Sequence, residues 1–388
     1  MNFSPSPEQR QLADTVQRFL AQEYSFDARK KIVASEDGWS RPLWGKLAEL
    51  GLLSLQVPEE HGGMAPAAVE SLLTLTAMGR FLVVEPFLSS AIIGTALVRA
   101  QASAAQAAAL LPALAAGERI VAPALTESGA RYDLRQVATA ATRSGDGWAL
   151  RGHKAVVLHA PAADLLLVSA RTGAAPAGTT TAPDHDGDEP GISLFAVPRG
   201  AAGVRLSPYR TLDGQVAADV TLDGVQLPAD ALLGAEGSAF AAISAAVDLG
   251  VAGICAEAAG TLQAALDATL DYTKTRKQFG VPIARFQALQ HRMAEMLIHV
   301  EQARSMSFLA ALRANSPDAG ERRRATSAAK VVIGQACRYV GQQAVQLHGG
   351  MGVTDELPVS HAFKRLVAIE LSLGDTGHHL ERFIAAGR

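Results

Sequence analysis

Two short segments concentrate the residue types that could hold an anionic ligand. Arg276-Lys277-Gln278-Phe279-Gly280 puts two cations beside a glycine, with Pro282 just after. By itself this run also serves as the basic last turn of a helix, closed by glycine. Gln346-Leu347-His348-Gly349-Gly350-Met351-Gly352 places three glycines within four residues at the end of an apolar-periodic stretch. Such a run lets the backbone approach a ligand closely and offers N–H groups to anionic oxygens. Neither segment is followed by Gly-Lys-Ser/Thr, so neither is a P-loop. His378-His379 is a weaker candidate. Adjacent histidines on a helix point to different faces, and no acidic or cysteine ligand accompanies them, so a capping or solvated role is expected and no metal. Lys154, in a strand pattern, reads as a surface or structural lysine.

The elements that position these residues follow from composition and period. The chain has 388 residues, enough for two or three domains at about 100–200 residues each. It is 48% hydrophobic and 19% charged, too apolar for a disordered chain. A formal charge of −3 argues against nucleic acid or a polybasic membrane anchor as partner. Cys255 and Cys337, both in apolar helical patterns, suit neither a disulfide scaffold nor a metal site, and a reducing cytoplasm is expected. The start of the chain carries no basic and apolar leader pattern. The most apolar stretch, Phe240 to Gly260, contains Asp248 and Glu257 and reads as a buried helix rather than a membrane span.

Three blocks succeed one another. Residues 1–120 read as an α-helical domain. Ser6-Pro7-Glu8-Gln9 is a capping box with proline at the first helical position, and Leu12, Val16, Phe19 and Leu20 follow as one stripe. Residues 121–232 switch to short strands of a middle antiparallel β domain. Val137-Ala-Thr139 and Trp148-Ala-Leu150 flank Asp146-Gly147, a hairpin signal. Further strand candidates are Val156-Val157, Leu165 to Val168, Ile192 to Val197 and Val220 to Leu222. Residues 172–190 are low-complexity and acidic, an expected solvated insertion. Residues 233–388 return to helix, with long patterns from Phe240, around 285–314 and around 318–347. Arg322-Arg323-Arg324 reads as a solvated helix face. Helices, sheet, helices is an α+β order, and no βαβ repeat supports a Rossmann domain.

Taken together, the two glycine-bearing segments are far more specific, because the chain resembles the acyl-CoA dehydrogenases over nearly its whole length. The resemblance rests on Leu47-Ala-Glu-Leu-Gly51 leading to Val57-Pro-Glu-Glu-His-Gly-Gly63, and on Leu125-Thr-Glu-Ser-Gly-Ala130 with Asp133. Gly152-His-Lys154, Val225-Gln-Leu-Pro228, Leu232-Leu-Gly-Ala-Glu-Gly237, Arg276 to Gly280, Phe286-Gln-Ala-Leu-Gln290 and Gln346 to Gly352 complete it, in family order. It implies an N-terminal helical domain, a middle β domain, a C-terminal four-helix bundle, FAD and a tetramer. The implied chemistry is α,β-dehydrogenation of an acyl-CoA thioester. A glutamate takes the α-proton, the β-hydrogen leaves as hydride to the flavin, and an electron-transferring flavoprotein accepts the electrons. Such a base needs a carboxylate in a dry pocket beside a polarised carbonyl.

The chain departs from the family at that carboxylate. Aligning Thr376 of Leu373-Gly374-Asp375-Thr376 with the family's Glu-Gly-Thr puts Gly374 at the base. The minority position, 26 residues before Arg276, falls on Gly250. Glycine has no group to accept a proton. Asp375, next to Gly374, is the one candidate catalytic residue if the turn shifts. Asp248 lies roughly 200° round the helix from Gly250 and points elsewhere.

The flavin contacts that the resemblance implies divide in the same way. Those of a chain's own site read Leu125 and Thr126, Tyr132 for a serine, Val156 for an aromatic, and Leu158 for a threonine. Those lent to the neighbouring subunit are kept: Arg276, Gln278, Phe279, Gln346, Gly349 and Gly350, with Thr376 near the base position. The expectation is the base-lacking subunit of a heteromer whose homologous partner carries the glutamate. Two alternatives stand beside it, a self-sufficient homotetramer using Asp375 and a non-catalytic acyl-CoA-binding subunit. Which acyl group is bound stays open.

Overall fold

Ser6 Oγ accepts the Gln9 N–H while the Gln9 side chain returns to the Ser6 N–H, so the capping box starts the first helix as its spacing requires. A computed structural model describes residues 5–64, 67–173 and 189–386. Among these the α-helices are α1 (Pro7–Glu23), α2 (Phe26–Ala34), α3 (Arg41–Glu49), α4 (Ala68–Phe81), α5 (Thr95–Gln101), α6 (Ala104–Ala115), α7 (Phe240–Thr275), α8 (Gln287–Arg313), α9 (Ala319–His348), α10 (Pro358–Leu371) and α11 (Thr376–Ala385). Strands β1 (Val121–Ala124), β2 (Ala140–Ser144), β3 (Gly147–Leu158), β4 (Leu165–Arg171), β5 (Ile192–Pro198), β6 (Val204–Arg210), β7 (Val216–Leu227) and β8 (Leu232–Leu233) lie between α6 and α7. The expected order of helices, strands and helices is present.

Two units emerge. One gathers the chain up to Lys31, Ala68–Val83 and everything from Val251 on; the other holds Ile32–Ala67 and Val84–Gly250. In the first, α4 and α7 touch backbone to backbone. A Cβ at Gly79 would stand 2.0 Å from the Glu257 oxygen, and one at Gly260 would stand 1.8 Å from the Thr76 oxygen. Thr261 Oγ1 donates to the Gly79 carbonyl across that contact at 2.9 Å. Arg365 on α10 forks onto Glu257 of α7 at 2.6 and 2.7 Å, both side chains buried. Arg365→Leu leaves that carboxylate buried without its cation and is expected to cost about 3–5 kcal/mol. The urea midpoint reads it, and a loss below about 1 kcal/mol, the range of a solvated pair, would contradict it.

The second unit is built on a sheet of order β6-β7-β3-β2-β4-β5-β8, with β1 on β4. Most pairings are antiparallel, as expected, but β1 runs parallel to β4 and Ala140 meets Arg171 in parallel. The strand β1 enters from α6 rather than through a tight hairpin, so no turn forces it antiparallel. The expected hairpin is present, with its turn one residue earlier than Asp146-Gly147 and its first strand at Ala140–Ser144 rather than Val137–Thr139. Its turn is Gly145-Asp146, between Ser144 and Gly147. Gly145, at φ +57°, supplies the first central residue of a type II′ turn. Gly147 belongs to the strand because a Cβ there would lie 2.1 Å from the Leu227 oxygen of β7.

Of the acidic insertion, residues 174–188 lie outside the described residues. The helix α7 is long and apolar enough to cross a membrane by composition, yet 78% of its most apolar window is buried in the protein. Both cysteines are buried. The Arg322–Arg324 run is not a single solvated face. Successive helical residues turn about 100°, so Arg322 is buried with Nη1 on the Ser316 carbonyl at 2.9 Å, while exposed Arg324 lies over the Phe383 ring.

Candidate active site

The turn joining α10 to α11 carries the residues expected at the base position, and buried polar groups hold it from several sides. Gly374 has φ +110°, where L side chains are strained. A Cβ built on it would stand 2.5 Å from His379 Nε2 and 2.6 Å from His378 Cδ2. Buried Lys330 donates to the Gly374 carbonyl at 2.5 Å and to the Glu370 carbonyl at 2.9 Å. Burial pushes its ammonium below the ordinary range, and nearby thiols and carboxylates oppose that shift. The Glu370 carboxylate accepts from Arg338 Nη2 at 2.7 Å, from Thr376 Oγ1 at 3.0 Å and from the Thr376 N–H at 3.3 Å. Asp375 Oδ1 accepts the His378 N–H at 2.8 Å and is the N-cap of α11. Gly250 lies within α7, with no side chain to act.

His379, expected to be solvated or capping, is instead 1% exposed. The Leu373 carbonyl can only accept, so Nε2 carries the proton at 2.9 Å, and Nδ1 receives the Ser327 hydroxyl at 3.2 Å. Burial, reinforced by Lys330 and Arg382, pushes its pKa down to about 2. Below about pH 6.5 the unfolded chain therefore takes up a proton that folded His379 refuses. Its contribution to stability is lost as pH falls, by about 1.4 kcal/mol per unit. His348 and His361, both lowered chiefly by burial, act in the same direction. The fall in Tm between pH 6.5 and pH 5 should be smaller in His379→Asn. Equal falls in the two proteins would contradict this.

In the same unit, Arg276 does not close a helix as a simple basic cap. It leads into a small hairpin, β9 (Lys277–Gln278) against β10 (Val281–Pro282). Phe279 and Gly280 both take positive φ, +54° and +78°, as a type I′ turn needs. Phe279 is 90% exposed at the tip, edge-on to Phe286. Four residues of strand are too few for a period-2 signal, though Phe-Gly before Val-Pro was a readable turn. At the end of α9, Gly349 (φ +59°) and Gly350 are exposed, and a Cβ on either would meet nothing within 4 Å. Exposed Arg276, exposed Gln346 and this open glycine turn present a guanidinium, an amide and a stretch of backbone that no side chain shields, although the Gly349 N–H itself donates to the Gln346 carbonyl. That donor set suits the phosphates of a dinucleotide.

The other unit holds the residues expected to face a flavin of the chain's own. Leu125 is buried. Thr126 Oγ1 donates to the Ala155 carbonyl at 2.7 Å, and the Ala155 N–H donates to the Thr126 carbonyl at 3.0 Å, so the hydroxyl is engaged inside the protein. Val156 is 55% exposed at φ +53°, a strained state for a β-branched residue, in a bulge of β3. Tyr132 lies under the Arg131 guanidinium at 5.6 Å. Val156 and Leu158 bring no polar side-chain atom. Lys154 is structural and not a surface residue. It is fully buried with Nζ 2.6 Å from Glu127 Oε1 and 3.0 Å from Ser169 Oγ, and burial pushes its pKa down to about 8. Sequence reasoning missed Glu127 as its partner, along with Lys330 and Glu370 around the Gly374 turn. Among the described residues no cluster of histidine, cysteine or acidic side chains could hold a metal.

Family models for the N-terminal, middle and C-terminal domains of acyl-CoA dehydrogenase match residues 6–118, 122–225 and 237–386. A probable acyl-CoA dehydrogenase of Bacillus subtilis, YngJ, is 30% identical over all of this chain and 99% of its own length. Among solved structures, the ChsE4-ChsE5 complex of Mycobacterium tuberculosis is similar at TM-score 0.86 and 26% identity, covering 98% of this chain and 97% of that one. A variant of the Tcur3481-Tcur3483 steroid ACAD is similar at TM-score 0.85 and 28% identity, again over 98% and 97%.

Proposed function

The chain belongs to the acyl-CoA dehydrogenase family, FAD-dependent oxidoreductases acting on acyl-CoA thioesters, and from that premise we propose that it is the subunit of a heteromer that lends flavin contacts and lacks the base. The observation that carries this is the Gly374 turn. Its φ of +110° and the 2.5 Å approach of His379 Nε2 to a Cβ leave no room for a glutamate there. The adjacent carboxylate, Asp375, is occupied in capping α11.

FAD, when bound, supplies the electron acceptor. This chain's residues then divide by what they offer. Arg276, Gln346, Gly349 and Gly350 would hold phosphate oxygens of a flavin seated in an adjacent subunit, and Phe279 would cover it. Thr126, Tyr132, Val156 and Leu158 would serve a site of the chain's own poorly, since Thr126 turns its hydroxyl inward and Val156 and Leu158 have no donor. The proton would be removed by a glutamate of the homologous partner. The two-chain names of the ChsE4-ChsE5 and Tcur3481-Tcur3483 neighbours support a heteromer, and the second supports a bulky, steroid-derived acyl group. An electron-transferring flavoprotein is the proposed acceptor.

The test is Asp375→Asn in the assembled oligomer. Turnover should stay within about twofold and stability should change little, because the asparagine Oδ1 still accepts the His378 N–H and asparagine caps a helix about as well as aspartate. A fall of about 10²–10⁴-fold, the range for losing a general base, would make Asp375 the base and establish the self-sufficient alternative.

A further inference from the structure

The two motifs this chain keeps end different helices, so something must hold them in register. The Tyr272 ring, on α7, stacks on the His348 ring, on α9, with centroids 4.3 Å apart and planes at 28°. Tyr272 is one helical turn before Arg276, and its carbonyl accepts the Arg276 N–H at 2.8 Å. His348 immediately precedes the Gly349-Gly350 turn and is 5% exposed. The Ala344 carbonyl, at 2.7 Å, can only accept, so His348 Nδ1 carries a proton and the ring orientation is fixed. Gly352 closes the loop back over it, 3.0 Å from its Cβ if glycine were replaced. One ring thus anchors the arginine's helix end and the other anchors the glycine turn.

We propose that the Tyr272–His348 stack is a positioning pair, setting the Arg276 guanidinium and the open Gly349-Gly350 turn at one spacing so that they act as a single diphosphate-binding surface. This rests on the reading that Arg276 and the glycine turn hold FAD. Charge-assisted bonds to a diphosphate need several donors aligned at once, and each is sensitive to small displacements. The effect of the stack passes through Arg276 and the turn.

The experiment is FAD titration of the deflavinated oligomer, followed by flavin fluorescence, with thermal unfolding of each variant alongside. Tyr272→Ala and His348→Ala should each raise the FAD Kd about tenfold, the size of one misaligned charge-assisted bond. His348→Phe and Tyr272→Phe, which keep a ring in the stack, should bind FAD as the native protein does. Adding His348→Ala to Arg276→Ala should cause no further loss, because both act on one surface. An unchanged Kd in both alanine variants, beside a weakened Arg276→Ala, would overturn the pair's role alone. Failure of both phenylalanine variants to bind normally would also overturn it, since ring stacking would then not be what matters. An unchanged Kd in Arg276→Ala would instead overturn the lending reading beneath it.

Discussion

Arg276→Ala is expected to strip FAD from the assembled oligomer while leaving the chain folded. Arg276 is exposed at the end of α7, with the β9–β10 hairpin following directly. Removing it takes no packing from the core. A hydrogen bond to a charged group contributes about 1.5–3 kcal/mol, so its loss should weaken FAD binding by about 10–100-fold. The contrast lies in the other unit. Tyr132→Ala and Leu158→Thr alter positions that a self-sufficient member would use for its own flavin, and they should leave flavin content nearly unchanged. Flavin absorbance per protein after purification reads both arms. Equal losses from Arg276→Ala and Tyr132→Ala would mean the chain serves its own flavin as well as its neighbour's.

The second large effect is in catalysis. Purified without a glutamate-bearing partner, the chain should turn over acyl-CoA about 10²–10⁴-fold more slowly than the assembled pair, because proton abstraction has no base. Gly374→Glu should not restore it. The new side chain would have to start from φ +110° and displace His379, whose ring is tied to Leu373 and Ser327. That variant should lose stability and gain no activity. Recovery of turnover to the level of the assembled pair by Gly374→Glu would show that the turn is free to reopen.

Much of this was legible in the residues. The Ser6–Gln9 capping box, the helical periods of α7, α8 and α9, and the β character of the middle block are local patterns, and local patterns survive folding. The departures at Gly374, Tyr132, Val156 and Leu158 were visible because a family motif surrounds each of them. What the sequence could not show is where polar groups are buried. Lys154 read equally as a surface or a structural lysine, and His379 and Arg322 as capping or solvated residues, since a single charged or imidazole side chain carries no period. Each is buried because a partner outside its own helix or strand waits for it: Glu127 for Lys154, Leu373 and Ser327 for His379, and the Ser316 carbonyl for Arg322. The β9–β10 hairpin was hidden for a different reason. Its strands are two residues each, and a basic run before glycine fits a helix end equally well.

The most direct test of the division of labour is the number of FAD molecules per pair of unlike chains, counted by absorbance after the complex is purified whole. The chain keeps Arg276, Gln346, Gly349 and Gly350 for a neighbour's flavin, while Thr126, Tyr132, Val156 and Leu158 provide little for one of its own. One FAD per pair is the expected result. Two per pair, or full flavin loading of this chain purified by itself, would contradict the account.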